Sequence, residues 1–167
     1  MRIVKCFLLP FFLMGFISCN AGTLTMEKVK ETVREKYGDV AHLNIKQFLE
    51  IPADDYLLVD VRDSDEFNVS HLEHALNLKD PSAIRNELRN KGFQSVVIYC
   101  SVGYRSSDVA RKLKDLKGVT VYNFEGGIFD WFNQGYKIVN SHGLVNEVHP
   151  YNKKWGELLS LRERWNN

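Results

Sequence analysis

Three short runs along the chain are apolar at nearly every position: residues 56–61 (Tyr-Leu-Leu-Val-Asp-Val), 95–99 (Ser-Val-Val-Ile-Tyr) and 119–122 (Val-Thr-Val-Tyr). Runs of this length, rich in β-branched side chains and apolar on both faces, predict strands of a parallel sheet covered by helices. Residues 40–43 predict a fourth, weaker strand. Between the runs the apolar positions recur with helical spacing. Val29, Val33 and Tyr37 repeat every four residues, with Thr25 as a cap and Gly38 as a stop. Asn44 opens a short helix with Ile45, Phe48 and Leu49 on one face, ending near Pro52. Ala83, Ile84 and Leu88 mark a helix over 81–91, and Val109, Ala110, Leu113 and Leu116 one over 106–116. The latter ends at Gly118 after Lys112, Lys114 and Lys117, cations suited to the negative end of a helix dipole. Gly126-Gly127 introduces a last helix over 128–133, closed by Gly135. Strand alternating with helix predicts an α/β fold, a three-layer domain with a mainly parallel central sheet flanked by helices.

The chain has 167 residues, 44% of them hydrophobic, which suffices for one compact domain. Its first residues have a different pattern. Arg2 and Lys5 precede a nearly uninterrupted apolar stretch over 6–17, followed by Ser18-Cys19-Asn20-Ala21-Gly22. A positive start, an apolar stretch too short to span a bilayer comfortably, and small residues after it predict an export signal. Ser18 before Cys19 resembles a bacterial lipoprotein signal, in which Cys19 is acylated and becomes the new N-terminus. A cut after Ala21 and an uncleaved anchor are the other readings. The expected location is the periplasm or cell envelope, with membrane association through an N-terminal lipid on Cys19. Without residues 1–19 the chain has 20 basic and 21 acidic side chains, a net charge of −1. No basic field argues for a nucleic-acid partner.

Of the three cysteines, Cys6 and Cys19 fall in the signal region, leaving Cys100 as the one thiol in the body of the chain. It directly follows a predicted central strand, the carboxyl end at which ligands bind in such sheets. The segment Cys100-Ser101-Val102-Gly103-Tyr104-Arg105-Ser106 then leads into a helix. The first amides of a helix have no intrahelical partner and, with the dipole, favour negative charge in the loop. A thiol placed there is favoured as the thiolate, the nucleophilic form. Gly103 permits the conformation that brings amides together. Arg105 is a planar cation suited to an oxyanion, and Ser106 can cap the helix and donate toward sulfur.

Cys-x-x-Gly-x-Arg-Ser, here Cys100, Gly103, Arg105 and Ser106, resembles the active loop of single-domain rhodanese-like sulfurtransferases. Three further blocks match in order: 57–62 followed by Glu66-Phe67, then 70–77, then 121–131. The resemblance covers roughly residues 40–139. Together with the export signal over 1–19, it divides the chain into that signal, an N-terminal helical segment over 20–39, a rhodanese-like domain over 40–139 and an extension over 140–167. Ser70 and His74 stand where the family usually carries glycine, which leaves the local turn open. His142, His149, Pro150, Tyr151 and Trp155 lie beyond the domain, free to fold back over it or to contact a partner.

What the resemblance implies for function is sulfur transfer. Cys100 takes a sulfane sulfur from a small anionic donor, thiosulfate or a persulfide, and passes it to a thiophilic acceptor, cyanide in an assay or a small or protein thiol in the cell. Ser101, Val102, Gly103, Tyr104, Arg105 and Ser106 bind the substrate. Asp60 is expected to bond amides near the loop, Arg62 to pair with Glu66, and His71 to serve the framework. No metal or organic cofactor is expected, and His71, His74, His142 and His149 match no common zinc spacing. Related phosphatases have five residues between cysteine and arginine; the four here, 101–104, favour a single sulfur over a phosphoryl group. A phosphatase or arsenate reductase, and a non-enzymatic binding or persulfide-carrier module, are the alternatives.

Overall fold

The computed structural model describes residues 23–159. The expected export segment and Cys19 lie outside them. The N-terminal helix α1 (Met26–Lys36) starts where Thr25 accepts from the Lys28 amide at 3.3 Å, and it buries Val29 and Val33. Then follow β1 (Ala41–Leu43), α2 (Ile45–Leu49), a 3-10 turn (Ala53–Asp55), β2 (Tyr56–Asp60), α3 (Ser64–Val69), β3 (Leu76–Asn77) and α4 (Pro81–Lys91). Asp80 caps α4 ahead of Pro81, and Gly92 closes it in the left-handed conformation. The second half runs β4 (Ser95–Tyr99), α5 (Tyr104–Lys112), β5 (Thr120–Phe124), α6 (Gly127–Asn133), β6 (Ile138–Asn140), β7 (Gly143–Val145) and α7 (Lys153–Gly156). Among the described residues, no helix is long and apolar enough to cross a membrane.

Five strands form one sheet in the order β1-β5-β4-β2-β3, and every neighbouring pair is parallel. Successive side chains of a strand point to opposite faces. Val96, Val97, Ile98 and Tyr99 of β4 are all fully buried, so both faces of the sheet centre are covered. Parallel pairing also puts every carboxyl end on one edge. The loop after β4 therefore emerges beside the residues that follow β2 and β5. That juxtaposition makes the site.

Several elements differ from expectation. Leu49 was expected on the buried face of α2, but it is 53% exposed while Ile45 and Phe48 are buried. Positions i, i+3 and i+4 share one side of a helix, but only the first two reach the core here, and α2 ends at Leu49. Helix α5 begins at Tyr104, earlier than expected, because Gly103 at φ 105° already makes the turn. Neither α3 nor the two-residue β3 was foreseen. The turn left open by Ser70 and His74 is kept. Ser70 is extended at φ −169°, whereas His74 takes the left-handed conformation at φ 65° without being glycine.

Candidate active site

The peptide after β4 is held from behind. The Cys100 carbonyl accepts from the Ile128 amide at 3.0 Å, and the Ser101 carbonyl from the Phe129 amide at 3.1 Å. With its first two carbonyls turned toward the start of α6, the loop presents the Gly103 amide to the sulfur instead. This contact needs glycine at 127. A Cβ there would stand 2.1 Å from the Cys100 carbonyl oxygen, and the backbone has φ 53°.

On the other side, the Gly103 amide donates to Cys100 Sγ at 3.2 Å, and the Ser106 hydroxyl donates to it at 3.4 Å. Ser106 was expected to cap the helix as well, but the cap position belongs to Gly103. Ser106 sits inside the first turn of α5, fully buried, with its hydroxyl behind the sulfur. The sulfur thus lies over the amino end of α5 with two donors aimed at it. A group that gains negative charge at this point is stabilised without reorganisation of the loop.

Arg105 does not stand free. Its two terminal nitrogens donate to Glu66 at 2.6 and 2.8 Å, and one of them also to Ser101 Oγ at 2.9 Å. Ser101 Oγ in turn donates to Glu66 at 3.0 Å. Glu66 is almost wholly buried, and its second oxygen accepts from the Asp63 amide at the start of α3. Burial alone would raise the Glu66 carboxyl, but the hydrogen bonds and charge of Arg105 outweigh it and hold the carboxyl below its ordinary range. Burial likewise works against the Arg105 cation, and Glu66 with the nearby Cys100 sulfur raises it nonetheless.

This pairing corrects one expectation. Arg62 does not meet Glu66; it folds back onto Asp60 through three side-chain contacts of 2.7–3.0 Å, and it donates to the Ser70 carbonyl at 2.5 Å. Both side chains are fully buried. A buried guanidinium needs the partner with the shortest reach, and two residues along the chain Asp60 supplies it. Asp60 itself accepts the Arg62 amide rather than amides of the Cys100 loop. His71 lies away from the sulfur. It stacks on Phe67 with ring centres 3.8 Å apart, donates Nδ1–H to the Phe67 carbonyl and bridges to Val139 through both backbone groups.

A cavity of about 160 Å³ opens above Cys100. The loop supplies Cys100, Ser101, Val102, Tyr104 and Arg105 to its lining, and the C-terminal segment supplies Tyr151 and Trp155. Gly103 and Ser106 act from behind the sulfur and do not line it. The Tyr151 ring lies over the Arg105 guanidinium at 4.8 Å, and Trp155 meets Tyr104 edge to face at 5.9 Å. Tyr151 has φ 62°, a left-handed backbone on a bulky residue. Sequence reasoning singled out these two aromatics but could not put them over Cys100.

The rhodanese-like domain family matches residues 45–134, more than half of the chain. The chain is 27% identical over 95 residues to the thiosulfate sulfurtransferase GlpE of Coxiella burnetii, covering 57% of this chain and 87% of that one. It is 24% identical over 122 residues to the tRNA uridine(34) hydroxylase of Photorhabdus laumondii, covering 70% of this chain but only 34% of that relative, so it spans about a third of that protein's length. The solved thiosulfate sulfurtransferase of Pseudomonas aeruginosa shares the fold with a TM-score of 0.56 at 12% identity, over 80% of this chain and 26% of that one. On the family match, with the parallel sheet and the cysteine loop at its carboxyl edge, the chain belongs to the rhodanese-like domain family.

Proposed function

We propose that this protein is a sulfurtransferase that carries sulfane sulfur as a persulfide on Cys100. The observation that carries the reading is the sulfur's position: Sγ receives the Gly103 amide at 3.2 Å and the Ser106 hydroxyl at 3.4 Å at the floor of an open cavity. The Cys100 thiolate attacks the outer sulfur of thiosulfate or a persulfide. A new S–S bond forms as the donor's S–S bond breaks, and its electron pair leaves with sulfite or a thiolate. An acceptor thiolate or cyanide then attacks the terminal sulfur, and the electron pair of the enzyme's S–S bond returns to Cys100. Neither half-reaction changes the overall redox balance. The similarity to proteins named thiosulfate sulfurtransferase supports the same chemistry.

Purified protein incubated with a sulfane donor gains one sulfur atom by intact mass and releases thiocyanate when cyanide is added. Cys100→Ser does neither. Wild-type protein that stays unmodified with every sulfane donor would end this reading. We also propose that the chain acts outside the cytoplasm, tethered through a lipid on Cys19. Cells grown with a fatty-acid analogue then label the wild type but not Cys19→Ala; label that survives the substitution rules the tether out.

A further inference from the structure

We infer that the sulfur donor is an organic one, a persulfide-type sulfur on an apolar carrier with at most one charge, and that Tyr151 and Trp155 select it. The inference rests on the sulfurtransfer reading and concerns only what the donor carries besides its sulfur.

The site has two parts with different chemistry. The cradle of Gly103 N–H and Ser106 O–H addresses the transferred sulfur, which all donors share. The walls above it address the carrier, and they are Val102, Tyr104, Tyr151 and Trp155. Among the described residues, the one cation in the lining is Arg105, and it is already matched. Glu66 takes both of its terminal nitrogens, Asp63 stands 3.8 Å away and Tyr151 covers one face. Lys36 and Lys154 lie over the rings of Tyr104 and Trp155, but neither lines the cavity.

A dianion such as thiosulfate would leave water for aromatic walls and an arginine that has its counter-charge. An apolar carrier gains from the same walls, and an apolar cavity of roughly this size accepts one aromatic ring. The backbone supports a dedicated role for the tail. Tyr151 holds its ring over the site from a left-handed conformation costly for tyrosine, a kind of strain found where ligands are clamped.

The balanced step is the same for any such donor. The Cys100 thiolate bonds to the outer sulfur, the bond between that sulfur and the carrier breaks, and the carrier departs with the electron pair. Benzenethiosulfonate and methanethiosulfonate are suitable probes: each has one negative charge and the same outer sulfur, and they differ only in the apolar group. Each releases a sulfinate, and thiosulfate releases sulfite.

The full-length protein is assayed for kcat/KM with all three donors, alongside Trp155→Ala, Tyr151→Ala and Glu66→Gln. Comparing ratios between proteins cancels both intrinsic donor reactivity and any loss of folded material. The benzene-to-methane ratio is expected to fall at least about tenfold in Trp155→Ala and to fall also in Tyr151→Ala, the range an apolar pocket provides. In Glu66→Gln, which leaves Arg105 only the more distant, exposed carboxylate of Asp63, thiosulfate improves several-fold relative to methanethiosulfonate. A benzene-to-methane ratio unmoved by both tail substitutions overturns the inference while leaving sulfur transfer intact. Loading from none of the three donors ends the sulfurtransfer reading, and this inference with it.

Discussion

Both terminal nitrogens of Arg105 donate to the carboxylate of Glu66, joining the Cys100 loop to helix α3 across 39 positions of sequence. Ser101 completes the triangle by bonding to both partners. The loop is therefore braced through the residue that sequence reasoning assigned to substrate, and the brace is electrostatic.

That brace titrates. The folded protein holds Glu66 below its ordinary value of 4.5, so its contribution is complete above that pH and is lost as pH falls through the depressed folded value. Urea midpoints of wild type and Glu66→Gln, measured from neutral pH down to about 3, should differ most near neutrality and converge in acid. A gap that stays constant over the whole range would show that ionisation of Glu66 is not what braces the loop.

Gly127→Ala tests the hold on the back of the loop. The added methyl meets the Cys100 carbonyl at 2.1 Å and adopts a left-handed backbone, so a loss of about 3 kcal/mol or more is expected, with sulfur loading lost as well. Gly118→Ala is the matched control, since it shares the positive φ but meets nothing within 4 Å; it should cost about 1–2 kcal/mol. Equal losses in denaturant titrations would show that the contact with Cys100 is relieved cheaply.

His74→Gly should stabilise the protein. His74 is exposed and left-handed at φ 65°, so glycine removes backbone strain and no contact of consequence. The gain expected is about 0.5–1 kcal/mol, reduced from the full strain by the greater freedom of glycine in the unfolded chain. A lower melting temperature would mean that the His74 side chain contributes to the turn.

Asp60→Ala should be among the costliest single changes outside the loop, about 3–5 kcal/mol, because it strands a fully buried guanidinium. Removing both charges, as Asp60→Leu with Arg62→Met, should cost less than the single change. A double variant less stable than Asp60→Ala would mean that the pair is strongly stabilising in its own right.

Ser106→Ala removes one long hydrogen bond of 3.4 Å to the sulfur. Loading of Cys100 should slow by up to about tenfold, the equivalent of a single weak bond. No change in the single-turnover rate would reduce Ser106 to a packing residue.

The sheet and the loop at its carboxyl edge were legible because their signals are local. The buried strand over 95–99 is one apolar run, and Cys100, Gly103 and Arg105 follow it within a single loop. The partner of Glu66 was not. Arg62 stands one helical turn before it in sequence, yet Arg62 precedes α3 and turns back to Asp60, leaving Glu66 to an arginine brought in by sheet order. Strand β3 escaped notice because two residues, Leu76 and Asn77, carry no periodicity. The aromatic character of the tail was plain, but whether Tyr151 and Trp155 reach the sulfur depends on how β6 and β7 turn the chain, which no spacing encodes.

The hold of α6 on the loop also orders events in time. Ile128, whose amide fixes the Cys100 carbonyl, lies 28 residues downstream, and Trp155 lies further still. A chain that emerges from its amino end therefore carries Cys100 without this hold until residues 127–129 have followed. The fixed position of the sulfur is thus a property of the folded domain and not of the segment that bears it.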